Sequence, residues 1–316
     1  MIVRWSLGEL AATLDEVGIA QPLVIASARW RTLDVPNVAW WSEVPSVRVE
    51  VPSEVDGLLA IGGGSAIDTG KHTSAETGLP VVHVPTTYSG AEWTTFYGVR
   101  SPDRVMRGGG AGAHSVAIVY DVELTLDLPR DETAGTAMNA LAHCAEALYV
   151  AGRTLDGDEQ ALLGAPLIAG ALPRLLADLS DRGAREDLLR GAMHAGYALG
   201  LAGLGLAHAM AQALGGAYGL PHGAMNALCL APALGFNARF VPDEVERFGA
   251  AIGGDAVEHT RELAVLGGFQ RLSQFGIPEQ DLPALAAAAA QRGGNRANPR
   301  PASPQEILEL FRSIYD

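Results

Sequence analysis

Residues 57–71 read GLLAIGGGSAIDTGK. The opening apolar run, with no alternation, predicts a strand buried on both faces. Gly62, Gly63, Gly64 and Ser65 close it, and a helix is expected over residues 66–76. A strand that delivers glycines to a helix start suits a phosphate. Without Cβ atoms the backbone amides can approach a pyrophosphate, and the helix N-terminus adds partial positive charge. Ser65 adds a hydroxyl donor. The run is neither GxGxxG nor a Walker loop, so by itself it also reads as an ordinary tight turn.

Working outward, an amphipathic helix is expected over residues 7–17 and a buried strand over 22–27 (PLVIAS). Further strands follow at 79–84 (LPVVHV) and 116–120 (VAIVY). Strand–helix–strand at this spacing implies parallel pairing with right-handed crossovers. The strand at 79–84 runs into PTTYSGAEW, a hydroxyl-rich turn where open α/β sheets bind ligands, although the same residues suit a capped loop. From about residue 130 only helical periodicity remains. Breaks are expected at Gly152, Pro173, Gly183, Pro221, Pro232, Pro242 and residues 276–278. The expected fold is an α/β nucleotide-binding domain with a Rossmann-type parallel sheet over residues 1–129. An all-α domain follows over 130–316.

The 316 residues are 48% hydrophobic and 18% charged, which suits a sizeable folded core. A formal net charge of −14 argues against nucleic acid or an anionic membrane as partner. Two cysteines, Cys144 and Cys229, show no metal or redox spacing. They read as free buried thiols in a reducing cytoplasm. The N-terminus carries Arg4, Glu9, Asp15 and Glu16 and no apolar signal core. Residues 191–238 lack Lys, Arg, Asp and Glu but contain three histidines, Gln212 and two asparagines. Buried helices lining a polar site fit that composition better than a lipid-facing span.

Asn139 and His143 stand four apart, on one helical face, and His208 and Gln212 repeat the spacing. His222 follows Pro221 at an expected helix start. One histidine on an apolar helix is usually a satisfied core residue. Three, with Asn and Gln, predict a shared polar site. Three imidazoles could bind a divalent metal with Asn as a weak oxygen ligand, but such a site prefers a carboxylate.

GGGSAID, PTTYSGAE, NALAHCAEAL and HAMAQALGGAYGLPHG, in this order and spacing, resemble the iron-containing alcohol dehydrogenase superfamily. YDVELTLDLP and NPRP, the latter at residues 298–301, resemble its maleylacetate reductase branch. The resemblance covers nearly the whole chain. It implies a dehydroquinate synthase-like nucleotide half, a helical half, and an active site between them. NAD(H) or NADP(H) would be held by Gly62, Gly63, Gly64, Ser65 and Asp68, with Thr86, Thr87 and Ser89 along the nicotinamide. The family's metal quartet maps to Asn139, His143, His208 and His222. Asn139 in place of the usual Asp argues against Fe or Zn, and the branch is regarded as working without iron. A cytoplasmic homodimer acting on a small molecule is implied as well.

Several positions depart from that pattern. Ala207, Ala209 and Gln212 replace polar residues of the branch, and Asn226 stands where a further histidine is usual. The segment between the first strand and the glycine run is short for the family, as though a helix were missing. Trp30, Trp40 and Trp41 in that segment are expected to pack over a trimmed sheet edge, with adenine stacking as the alternative. The implied reaction is hydride transfer to an unsaturated oxo-acid. His143, His208 or His222, acting as donors or through a metal, would stabilise the developing oxyanion, and Arg107 and Arg300 are candidates for the substrate carboxylates. Two alternatives stand beside it. One is an alcohol or hydroxy-acid dehydrogenase on another substrate, in natural-product or modified-peptide biosynthesis. The other is a cofactor-poor binding subunit.

Overall fold

The computed structural model describes residues 1–103 and 105–316. The chain divides into two compact units, Met1–Thr87 with Ala91–Asp127, and Tyr88–Gly90 with Leu128–Asp316.

The first unit runs β1 (Ile2–Arg4), α1 (Leu10–Glu16), β2 (Pro22–Ile25), β3 (Ala39–Trp41), β4 (Gly57–Gly62) and α2 (Gly64–Thr77). It continues with β5 (Val81–Pro85), β6 (Tyr97–Arg100), β7 (Met106–Gly110) and β8 (Ser115–Val119). Six strands form one parallel sheet in the order β1-β8-β5-β4-β2-β3. This is the expected α/β sheet with two more strands, β1 and β3, each only three residues long. A second surprise is the antiparallel hairpin of β6 and β7, which follows the hydroxyl-rich turn.

Alternate residues of the central strands feed two separate cores. Val24, Leu59, Ile61, Val82 and Val84 pack with Leu10 and Leu14 of α1 on one face. Leu23, Ile25, Leu58, Ala60 and Val81 pack with Ile67 of α2 on the other. Burial on both faces explains the unbroken apolar runs. Only a single 3-10 turn, Ala28–Trp30, stands between β2 and β3. Indoles do the covering there. Trp30 and Trp40 join the α1-side core and Trp41 the α2-side core. Trp40 Nε1 donates to the Ala26 carbonyl at 3.0 Å, and Trp41 Nε1 to the Glu43 carbonyl at 3.0 Å, so both polar tips are satisfied.

The second unit is helical: α3 (Arg130–Ala147), α4 (Leu155–Ala177), α5 (Arg182–Ala202), α6 (Leu206–Tyr218) and α7 (His222–Asn237). Then follow α8 (Pro242–Ile252), α9 (Ala256–Leu266), α10 (Leu282–Ala290), α11 (Gly293–Ala297) and α12 (Pro304–Arg312). Two expected breaks do not occur. Pro173 lies inside α4, together with Pro166, and Pro232 lies inside α7. Each proline removes one ladder hydrogen bond, but the buried flanks of both helices keep the rods continuous. Among the described residues, α4 has the length and apolar composition to cross a bilayer, and half of its most apolar window is buried within the protein. The uncharged stretch 191–238 folds as the end of α5, then α6 and α7, with α5 and α6 bent 99° apart. Both cysteines are free and buried, and burial pushes their thiols up, out of the reactive range.

α3 and α7 touch backbone to backbone. A Cβ on Gly223 would lie 2.5 Å from the carbonyl group of Gly135. Asn139 stands one turn beyond Gly135, and Asn226 stands three residues beyond Gly223. That crossing brings the two amides together.

Candidate active site

The glycine turn sits at the carboxyl end of β4, beside the carboxyl end of β5. Gly62 pairs with Pro85, and Thr86 N donates to the Gly62 carbonyl at 3.0 Å. Gly62 has φ +146°, a conformation that disfavours a side chain. A Cβ on Gly63 would meet Thr87 Cγ2 at 2.8 Å. Gly64 and Ser65 open α2. Thr87 Oγ1 is buried without a hydrogen-bond partner. A bare-backbone cradle at a helix start, next to an unsatisfied hydroxyl, fits the pyrophosphate of a nicotinamide dinucleotide. Two other expected cofactor residues make contacts within the protein. Asp68 accepts from Gly98 N at 3.2 Å and pairs with Lys71 at 3.0 Å, which ties α2 to β6. Ser89 belongs to the helical unit, where its carbonyl accepts from Asn139 Nδ2 at 3.3 Å.

Within the helical unit, α3, α6 and α7 bring Asn139, His143, His208 and His222 into one buried cluster. Two residues that the histidine pattern did not single out join them. Glu146 of α3 has no exposed surface, and its carboxylate accepts from Gly205 N at 2.7 Å and His208 N at 3.2 Å. It also meets His208 Nδ1 at 2.7 Å. Asn226 of α7 donates from Nδ2 to Asn139 Oδ1 at 2.8 Å and sits 3.0 Å from His222 Nε2. The signal for Glu146 was present in the sequence: it is the one carboxylate of α3 beyond the first turn, three residues past His143.

The hydrogen bonds fix the orientation of these groups. Asn139 Nδ2 faces the Ser89 carbonyl, so its Oδ1 must face Asn226 and His208 Nε2, the latter at 3.3 Å. Asn226 Nδ2 also faces the His222 carbonyl at 3.3 Å, which sets the nitrogen inward. His208 Nδ1 donates to the Glu146 carboxylate, His208 Nε2 lies against Asn139 Oδ1, and His222 Nε2 accepts from Asn226. His143 stacks on His208 at 4.7 Å with only 12° between ring planes. Burial first, then the neighbouring His208 and His222, holds the His143 pKa well below the usual imidazole value. Its ring therefore stays neutral, and its Nδ1 is buried without a partner.

A metal ion does not fit this arrangement. Among the described residues, no group of three His, Cys, Asp or Glu side chains is disposed to hold one. Three of the four atoms that a metal would need are engaged with each other or with Asn226.

The arginines expected to meet carboxylates are engaged elsewhere. Arg107 is exposed on β7, where Nε donates to Ser101 Oγ at 2.9 Å and the guanidinium lies 3.7 Å from Asp103. Arg300 pairs with Glu306 and lies over the rings of Phe236 and Phe240, at 4.9 and 4.6 Å. Ala207 and Ala209 are buried, and Gln212 is half-buried on α6.

Comparison with known proteins agrees along the whole chain. Residues 133–315 match the C-terminal region of the Fe-containing alcohol dehydrogenase family, and residues 47–120 match iron-containing alcohol dehydrogenase. A maleylacetate reductase of Burkholderia cepacia is 32% identical over 98% of this chain and 94% of its own length. One from Sphingobium indicum is 35% identical over 97% of this chain and 84% of its own length. The crystal structure of maleylacetate reductase from a Rhizobium species superposes with a TM-score of 0.88 at 27% identity. That match covers 99% of this chain and 95% of the other. These likenesses remove the binding-subunit alternative: the chain belongs to the iron-containing alcohol dehydrogenase family and is an NAD(P)H-dependent oxidoreductase.

Proposed function

We propose that this chain reduces maleylacetate, or a close unsaturated oxo-dicarboxylate, with NADH or NADPH. The observation that carries the reading is identity of 32% and 35% to two maleylacetate reductases over nearly the full chain. The cofactor, when bound, supplies a hydride to the carbon–carbon double bond. Gly62, Gly63, Gly64 and Ser65 hold its pyrophosphate, with Thr86 and Thr87 beside it. As the hydride adds, negative charge moves to the conjugated carbonyl oxygen, and a proton completes the saturated product. His143 meets that oxygen: its neutral ring can present an N–H, and no protein atom claims its Nδ1. A donor already held in a dry site costs no reorganisation as charge develops. His208 and His222 hold the cluster in place through Glu146 and Asn226. Arg107 would contact a carboxylate only by releasing Asp103.

A second reading, an alcohol or hydroxy-acid dehydrogenase on another substrate, is favoured by the buried Ala207 and Ala209, which add no polar atoms. The test is NADH and NADPH oxidation with maleylacetate, set against reduction of NAD or NADP with simple alcohols and hydroxy-acids. Turnover of maleylacetate supports the first reading. Turnover of the alcohols alone replaces it with the second.

A further inference from the structure

We infer that the side-chain amide of Asn226 takes the place of a metal ion in the histidine cluster. An Asn in place of Asp at position 139 removes a charge, but an amide oxygen with three imidazoles still makes a ligand set. What closes this set is a different residue. Asn226 Nδ2 contacts Asn139 Oδ1 at 2.8 Å and His222 Nε2 at 3.0 Å, two of the atoms on which a metal would sit. One small polar group thereby satisfies two ligands at once. The amide cannot turn to offer its oxygen instead, since the His222 carbonyl at 3.3 Å and Asn139 Oδ1 both require a donor. It holds this orientation although Asn226 Oδ1 is left buried without a partner. Asn226 has no exposed surface, and α7 carries it to Asn139 at the backbone crossing of Gly135 and Gly223. No solvent path is needed to keep it there. The inference rests on the mapping of a family metal site onto this cluster and not on the choice of substrate.

The two explanations, a missing charge at residue 139 and an occupying amide at residue 226, separate in a four-protein comparison. Wild type, Asn139→Asp, Asn226→Ala and the double variant are stripped with chelator and titrated with Co²⁺. Visible d–d absorption and metal content by mass spectrometry are the readouts. The double variant is expected to take up about one equivalent with the spectrum of a tetrahedral site, while wild type and Asn139→Asp take up far less. A full equivalent on wild type or on Asn139→Asp overturns the role of Asn226. So does a folded double variant that takes up none. Should the Asn226 variants fail to fold, hydrogen exchange of the Asn226 side-chain amide in wild-type protein decides: slow exchange, unchanged by Co²⁺, supports the inference, and rapid exchange or displacement by Co²⁺ contradicts it. NAD(P)H binding, read separately by fluorescence, reports on the redox reading independently of either metal result.

Discussion

At the scale of the residue, the site depends on buried polar groups that must be paired to be affordable. Glu146 and His208 have almost no exposure and meet at 2.7 Å, so removing one partner strands the other. Glu146→Leu is expected to lower stability by about 3–5 kcal/mol, measured by urea unfolding. His208→Ala and His143→Ala are expected to lower kcat by two orders of magnitude or more, at roughly the scale of losing an oxyanion donor. His83, on β5, makes a pH prediction in the other unit. Burial first, then Lys71, lowers its pKa from 6.5 to about 3. The unfolded chain takes up a proton below the ordinary value and the native chain does not, so stability is lost as pH falls through that window. Between about pH 7 and pH 5, His83→Gln should therefore lose roughly 2 kcal/mol less stability than wild type. An identical pH slope in the two proteins would show that His83 is not the source.

At the scale of the element, close backbone approach sets where side chains meet. Gly135 and Gly223 let α3 and α7 cross without a side chain between them, and the amides of Asn139 and Asn226 meet one turn away. Gly223→Ala would place a methyl group 2.5 Å from the Gly135 carbonyl. It is expected to cost about 1–3 kcal/mol in thermal or urea unfolding, and to lower turnover beyond what the stability loss explains. The elements also show what a sequence discloses. β4 and β5 were legible because burial on both faces leaves an unbroken apolar run. β3, with the residues Ala39, Trp40 and Trp41, was not, since three residues carry no period. Pro173 and Pro232 read as breaks because the local signal is strong, and tertiary packing on α4 and α7 overrides it. The pairing of Asn139 with Asn226 spans 87 positions and depends on a helix crossing, which no local pattern encodes.

At the scale of the whole molecule, a negatively charged chain assembles a nucleotide cradle in one unit and a buried polar cluster in the other. Trp30, Trp40 and Trp41 pack against the cores on the two faces of the sheet beside β2 and β3. Trp40→Ala is expected to destabilise the first unit by about 3 kcal/mol, and to do so without altering Co²⁺ uptake. The order of motifs made the family legible, whereas the contacts of Asn226 with Asn139 and His222 emerged only from the structure. The proposed occupancy by Asn226 matters for chemistry, since N–H donors would then act where a metal would act as a Lewis acid. The most direct measurement is NAD(P)H oxidation with maleylacetate in the presence of EDTA. One cofactor is expected to be oxidised per substrate reduced, at a rate that EDTA does not change. Failure to bind either cofactor at millimolar concentration, or activity that EDTA abolishes and Fe²⁺ restores, would contradict it.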